Sequence, residues 1–190
     1  MIDKFKSVFV IPELRKRILF TVSILIIVRM GAHIPIPGVD GEALAGAFTN
    51  LQNSLFGLFN TFVGGAFQKA SLFSLGIMPY ISSSIIIQLM GSVIPYFQRL
   101  QKEGEAGRKK ITQITRYGTV MLASMQSYGV VAVFLPSLTA NGQSVVMNPG
   151  FMFTFTGIIS MVTGTLFLMW LGERITERGI GNGISLIIMV

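Results

Sequence analysis

The chain has 190 residues, 51% of them hydrophobic and only 12% charged, where soluble domains run nearer about 25% charged. That balance excludes an ordinary soluble domain and makes a membrane protein the expected class. With no cysteine there is no disulfide or thiolate metal site, the one histidine, His33, cannot build a metal cluster alone, and a net charge of +7 suits loops held at an anionic membrane face.

The opening segment 1–17, MIDKFKSVFVIPELRKR, has no small-residue cleavage site, and Arg29 interrupts the apolar run that follows. It therefore reads as a cytosolic segment rather than a secretory leader. A helix needs roughly 20 residues to cross the hydrocarbon core. The stretch ILFTVSILIIV is short for that purpose, so the first span is placed at 18–34, with Arg29 near one end where its stem can snorkel.

An external loop follows at 35–54, entered through HIPIPGVD, which its prolines hold extended. Leu55, Leu58, Phe59 and Phe62 then recur at helical spacing, and Gly64 and Gly65 stop the helix. This apolar element, 55–69, is either an interfacial helix lying on the bilayer or a re-entrant element tucked between spans, which is tolerated at membrane depth where protein surrounds it. Two glycines and Ser71 permit close approach to other helices.

No charge occurs between Lys69 and Arg99, which gives a second span at 70–98 and a basic cytosolic loop at 99–116. The charge-free interval from Arg116 to Glu173 is too long for one span. It is broken by the Pro-, Gly- and Asn-containing stretch PSLTANGQSVVMNPG, so a third span is expected at 117–136, an external loop at 137–150 and a fourth span at 151–172. A cytosolic turn at 173–183 leads to the start of a fifth span at 184–190. Seven residues cannot span, which is expected of a fragment of a larger protein.

Thirteen of the fifteen basic residues fall on one side: Lys4, Lys6, Arg15, Lys16, Arg17, Arg99, Lys102, Arg108, Lys109, Lys110, Arg116, Arg174 and Arg178. Lys69 stands on the other. The positive-inside rule then places the N-terminus in the cytoplasm. The expected fold is an all-α polytopic transmembrane helix bundle.

Within GIMPYISSSIIIQLMGSVIP, a turn of roughly 100° per residue puts Ile77, Ile81, Ser84 and Gln88 on one face. Pro79 removes one helical hydrogen bond. This helix is either a packing element whose hydroxyls bond back to its own carbonyls or the wall of an aqueous path narrowed by isoleucines. Gln126 in the third span is a second intramembrane amide, and such groups need partners: the two amides meet each other or groups outside this sequence. The GxGxG at Gly179–Gly183 follows a membrane helix rather than a strand, so it reads as a tight turn and not a dinucleotide site. No paired carboxylates lie within the spans and no Ser/His/Asp set is visible, so an enzyme is not expected. A small-solute transporter half is the competing class, but it should place ionisable groups at the midplane, where this chain has isoleucines.

The stretches IPELRKRILFT, HIPIPGVD, GGAFQKASLFSLGIMPYISSSIIIQL, QKEGEAGRKKITQITRYGT and TGTLFLMWLGERITERGIGNGISLII resemble the SecY family of bacterial protein-conducting channels over essentially the whole chain. The resemblance implies ten spans in two pseudo-symmetric halves, of which this sequence matches the first four and the start of the fifth. It implies a pore ring at Ile77, Ile81, Ile184 and Ile188, and selects the re-entrant reading for a plug that includes Leu55, Leu58, Phe59, Phe62, Gly64 and Gly65. It implies a lateral gate with a polar cluster at Ser84, Gln88 and Gln126. Implied partners are SecE and SecG, the SecA ATPase or a ribosome on the cytosolic face, a secretory polypeptide with its signal sequence, anionic lipids, and the C-terminal half of the same protein. The implied location is the bacterial plasma membrane, and no cofactor is implied.

Overall fold

The computed structural model describes residues 11–49, 55–140 and 143–189. The first ten residues of the expected cytosolic segment, with Lys4 and Lys6, lie outside these, as does part of each external loop. Helix α1 spans Pro12–Gly31, with proline in its first turn, Glu13 at its positive end and Arg29 in its last turn. Thr21, Ile24, Val28 and Gly31 form its buried face at helical spacing.

The chain then passes through HIPIPGVD, which turns at Pro37–Gly38 with Gly38 at φ 91°, and is stapled on both sides. Ile36 N–H donates to the Ala70 carbonyl and Leu72 N–H to the Ile34 carbonyl, both at 2.9 Å. On the other side Asp40 N–H donates to Val145 O at 2.9 Å and Met147 N–H to Gly38 O at 3.2 Å. The interval 35–54, expected to be loop, contains a helix, α2 (Gly41–Thr49). Its N-cap is Asp40, whose Oδ1 accepts from the N–H groups of Glu42 at 2.9 Å and Ala43 at 3.2 Å. Leu44, Ala47 and Phe48 of α2 pack with Ile36, Phe67, Val131 and Val145 into an apolar core. A short hairpin, β1 (Thr139–Ala140) with β2 (Gln143–Ser144), closes this end.

Helix α3 spans Leu55–Phe62. It is shorter than the 55–69 element expected, and turns occupy the chain from Val63 to Ile77. The span expected at 70–98 is also revised. Helix α4 is Met78–Val93, and after Ile94 the chain bends by 99° into α5 (Pro95–Lys102). Pro95 has no N–H to continue the ladder and forces the preceding residue out of the helical region, so Ile94 is extended at φ −95°, ψ 122°. Phe97 and Leu100 fold back on Ile87.

The basic segment 99–116 is mostly helical, interrupted at Gly104. Helix α6 covers Glu105–Tyr128 and continues through a π-helical stretch, Gly129–Phe134, to Ser137. The expected third span therefore begins a dozen residues earlier as a helix. Helix α7 runs from Phe151 to Arg178 and α8 from Gly183 to Met189. Among the described residues, two helices are long and apolar enough to cross a membrane, Glu105–Ser137 and Phe151–Arg178, or three when the bent α4–α5 pair counts as one span. Helix α1 falls short because Arg15, Lys16, Arg17 and Arg29 leave it only a brief charge-free interior.

Small residues set the helix crossings. Ser83 Oγ of α4 donates to the Thr115 carbonyl of α6 at 2.9 Å, and Gly118 leaves room for it. Gly164 of α7 lies directly against the Leu72 carbonyl and the Phe73 ring. The tight turn expected of the GxGxG motif is present: Ile180 N–H donates to Thr21 Oγ1 at 3.2 Å and Gly183 N–H to Thr176 Oγ1 at 2.9 Å.

Candidate functional site

Ile77 caps the start of α4 and is buried, in one cluster with Ile24, Val28, Phe73, Leu168, Leu171, Ile175 and Ile187. Ile81 and Ile184 are half-buried against the same cluster. Three isoleucines converge on the bare backbone of Gly172 in α7. A Cβ there would lie 3.3 Å from Ile184 Cγ1, 3.3 Å from Ile187 Cδ1 and 3.6 Å from Ile77 Cδ1. Ile188 is the exposed member at 40%, yet it shares with Ile77 a small apolar cavity of about 50 Å³, also lined by Val28, Val63, Gly64 and Leu168. Of the four expected ring residues, Ile77 and Ile188 share this cavity, and Ile81 and Ile184 pack on the cluster beside it. Ile187 was not singled out from the sequence, because an adjacent pair of isoleucines on a short helix gives no sign of which one turns inward.

The element before this cavity ends in a Schellman arrangement: Gly65 N–H donates to Asn60 O at 2.8 Å and Gly64 N–H to Thr61 O at 3.1 Å. Gly64 takes the left-handed conformation this requires, at φ 62°. Asn60 locks the turn from the side, its Oδ1 accepting from Gln68 N–H at 2.9 Å. Arg29 Nη1 of α1 donates to the Gly64 carbonyl at 3.0 Å. Gly64 therefore sits against the isoleucine cavity. Leu55 and Leu58, however, are 81% and 62% exposed, Leu55 at the edge of an open cleft with Phe67 and Leu75. The side chains of Phe59 and Phe62 lie outside the described residues.

The expected polar cluster is not assembled. Gln88 Nε2 donates to Ser84 Oγ at 3.2 Å, one turn away on its own helix. Gln126 instead lines an open apolar cleft of about 650 Å³ with Ser82, Met78, Val130 and Phe134. The cause is the antiparallel crossing of α4 and α6 at Ser83 and Gly118. Gln88 lies beyond that crossing in one direction and Gln126 in the other, which at 1.5 Å per residue separates them by roughly 20 Å along the axes.

A family model for SecY matches residues 71–190. This chain belongs to the SecY family. The protein translocase subunit SecY of Buchnera aphidicola subsp. Acyrthosiphon kondoi is 57% identical over 93% of this chain and 49% of its own length. That of Escherichia coli K12 is 56% identical over 93% of this chain and 39% of its own length. The chain thus spans less than half the length of these SecY relatives. In fold it is similar to a solved protein-conducting channel (TM-score 0.66, 17% identity, 92% of this chain and 35% of that one) and to Sec61 in the canine ribosome–channel complex from the endoplasmic reticulum, at the same TM-score and coverage.

Arg116 and Glu173, both assigned to cytosolic loops, form a bidentate ion pair between α6 and α7. Glu173 adjoins Gly172, so the pair stands at the level of the isoleucines. Partners 57 positions apart leave no local trace.

Proposed function

We propose that this chain forms the N-terminal part of a protein-conducting channel that passes unfolded secretory polypeptides across the bacterial plasma membrane and releases apolar segments sideways into lipid. One observation carries the reading: the start of α4, helix α8 and the turn after α3 meet around a single small apolar cavity, in a member of the SecY family. An isoleucine constriction offers no fixed site to an ion, and dewetting closes it. It is also soft enough to part around an extended chain.

In this reading the ring is Ile77, Ile81, Ile184 and Ile188, and the turn bearing Gly64 and Gly65, with α3, is the plug. Ser84 and Gln88, on the face of α4 beside exposed Ile85 and Leu89, belong to the lateral gate; Gln126 belongs to the separate cleft. The N-terminus is cytoplasmic. SecE, SecG and the C-terminal half of the same protein complete the channel, a signal-bearing polypeptide is its cargo, and anionic lipids bind its basic cytosolic face. The chain performs no covalent chemistry; the SecA ATPase or a ribosome drives transport.

The test is Ile77→Asn in the complete protein, reconstituted with its partner subunits. A polar amide hydrates the constriction, so resting ion leak rises and export of a substrate with a weakened signal sequence increases. Unchanged leak together with unchanged signal selectivity would refute a pore role for Ile77.

A further inference from the structure

An arginine at the end of α1 is costly in or near hydrocarbon, and snorkelling to the interface is the ordinary remedy. Arg29 does something else. Its guanidinium reaches 35 residues along the chain to the Gly64 carbonyl. That carbonyl belongs to the C′ residue of α3, whose N–H is used by the Schellman turn while its oxygen accepts from Arg29. It also stands at the negative end of the helix dipole, which favours a cation.

We propose that Arg29 is a positioning residue that latches the plug in the closed channel, a role that rests on the plug reading given above. Holding Gly64 holds the whole element. The Schellman bonds tie Gly64 and Gly65 to Asn60 and Thr61, and the Asn60–Gln68 bond ties the helix to the descending turn. Behind it the chain is anchored independently. Ser71 N–H donates to Ala66 O at 3.0 Å, Ser74 Oγ donates to Ser71 O at 2.6 Å, and Leu72 N–H donates to Ile34 O at 2.9 Å. Release of the charged hydrogen bond therefore loosens the plug tip, whose Val63 still packs against both apolar clusters, while its root stays in place. Arg29 itself lines the cavity that Ile77, Ile188 and Val63 share, so loss of the latch opens the space directly at the constriction. A hydrogen bond from a charged donor shifts a two-state balance by about tenfold or somewhat more, enough to keep the resting channel shut yet small enough for an arriving polypeptide to overcome.

The experiment compares Arg29→Lys, Arg29→Gln and Arg29→Leu in the complete, reconstituted channel. Val63→Cys serves as a reporter in each, labelled by a water-soluble maleimide, and resting ion leak is recorded in parallel. Arg29→Gln and Arg29→Leu should raise both the labelling rate and the leak about tenfold, whereas Arg29→Lys, which still donates from a cation, stays near the parent. If Arg29→Leu does not assemble, the Lys and Gln variants carry the same comparison. Parent-like labelling and leak in the Gln variant, while Ile77→Asn leaks in the same membranes, would overturn the latch and leave the channel reading intact. Equal disturbance by Lys and Gln also overturns it, because the donor would then not matter. If Ile77→Asn is also silent, the channel reading fails and the latch with it.

Discussion

Arg116 and Glu173 join α6 to α7 through two parallel hydrogen bonds, Nε to Oε1 at 3.0 Å and Nη2 to Oε2 at 2.6 Å. The carboxylate is the better shielded partner, its side chain 16% exposed against 47% for the arginine. Because Glu173 follows Gly172, on which Ile77, Ile184 and Ile187 converge, the ion pair fastens α6 to α7 beside that isoleucine cluster.

Glu173→Gln leaves the guanidinium without its counter-charge in a partly shielded site. The expected loss of stability lies between that of a surface pair and a buried one, about 1–2 kcal/mol. Thermal unfolding in detergent measures it. A double-mutant cycle with Arg116→Gln should give a coupling energy of the same order; additive losses would mean that the two side chains act independently.

Gly164→Leu tests the packing that supports the plug root. The new side chain would meet the Leu72 carbonyl and the Phe73 ring, Cδ1 of which lies 3.2 Å from an ideal Cβ. Since the first obstacle is backbone, it cannot rotate away, and a cost of about 1–3 kcal/mol is expected. Proteolytic sensitivity between Val63 and Ile77 should rise; a cleavage pattern identical to the parent's would mean that the helix yields instead.

Cysteines at Gln88 and Gln126 should not form a disulfide, because the α4–α6 crossing separates them by roughly 20 Å. A pair at Ser83 and Gly118, which meet at that crossing, is the positive control. Efficient bridging of 88 to 126 would show that the helices cross elsewhere.

Ile77→Asn and the Arg29 series address the constriction and its latch. They are separable because one changes the wall and the other the element closing against it. Arg29 is a useful case of partial legibility. Its position near one end of the first span could be read from charge spacing alone, and so could the glycine stop at Gly64. That the first would donate to the second could not, because nothing local to either residue encodes the meeting. The polar cluster was legible in part for a related reason: Gln88 meets Ser84, its cluster neighbour one turn away, whereas the place of Gln126 beyond the α4–α6 crossing depends on where the helices meet.

The sequence alone was enough to assign the membrane class, the apolar runs within the long helices, and the tight glycine turn before α8. Each of these follows from composition, periodicity or the backbone limits of Pro and Gly, which act within a few residues. Tertiary structure alone decided the inward turn of Ile187, the Arg29–Gly64 and Arg116–Glu173 contacts, and the parting of the two glutamines. These depend on where helices cross, and crossings are fixed by small residues on different segments fitting one another, a complementarity that no single segment carries.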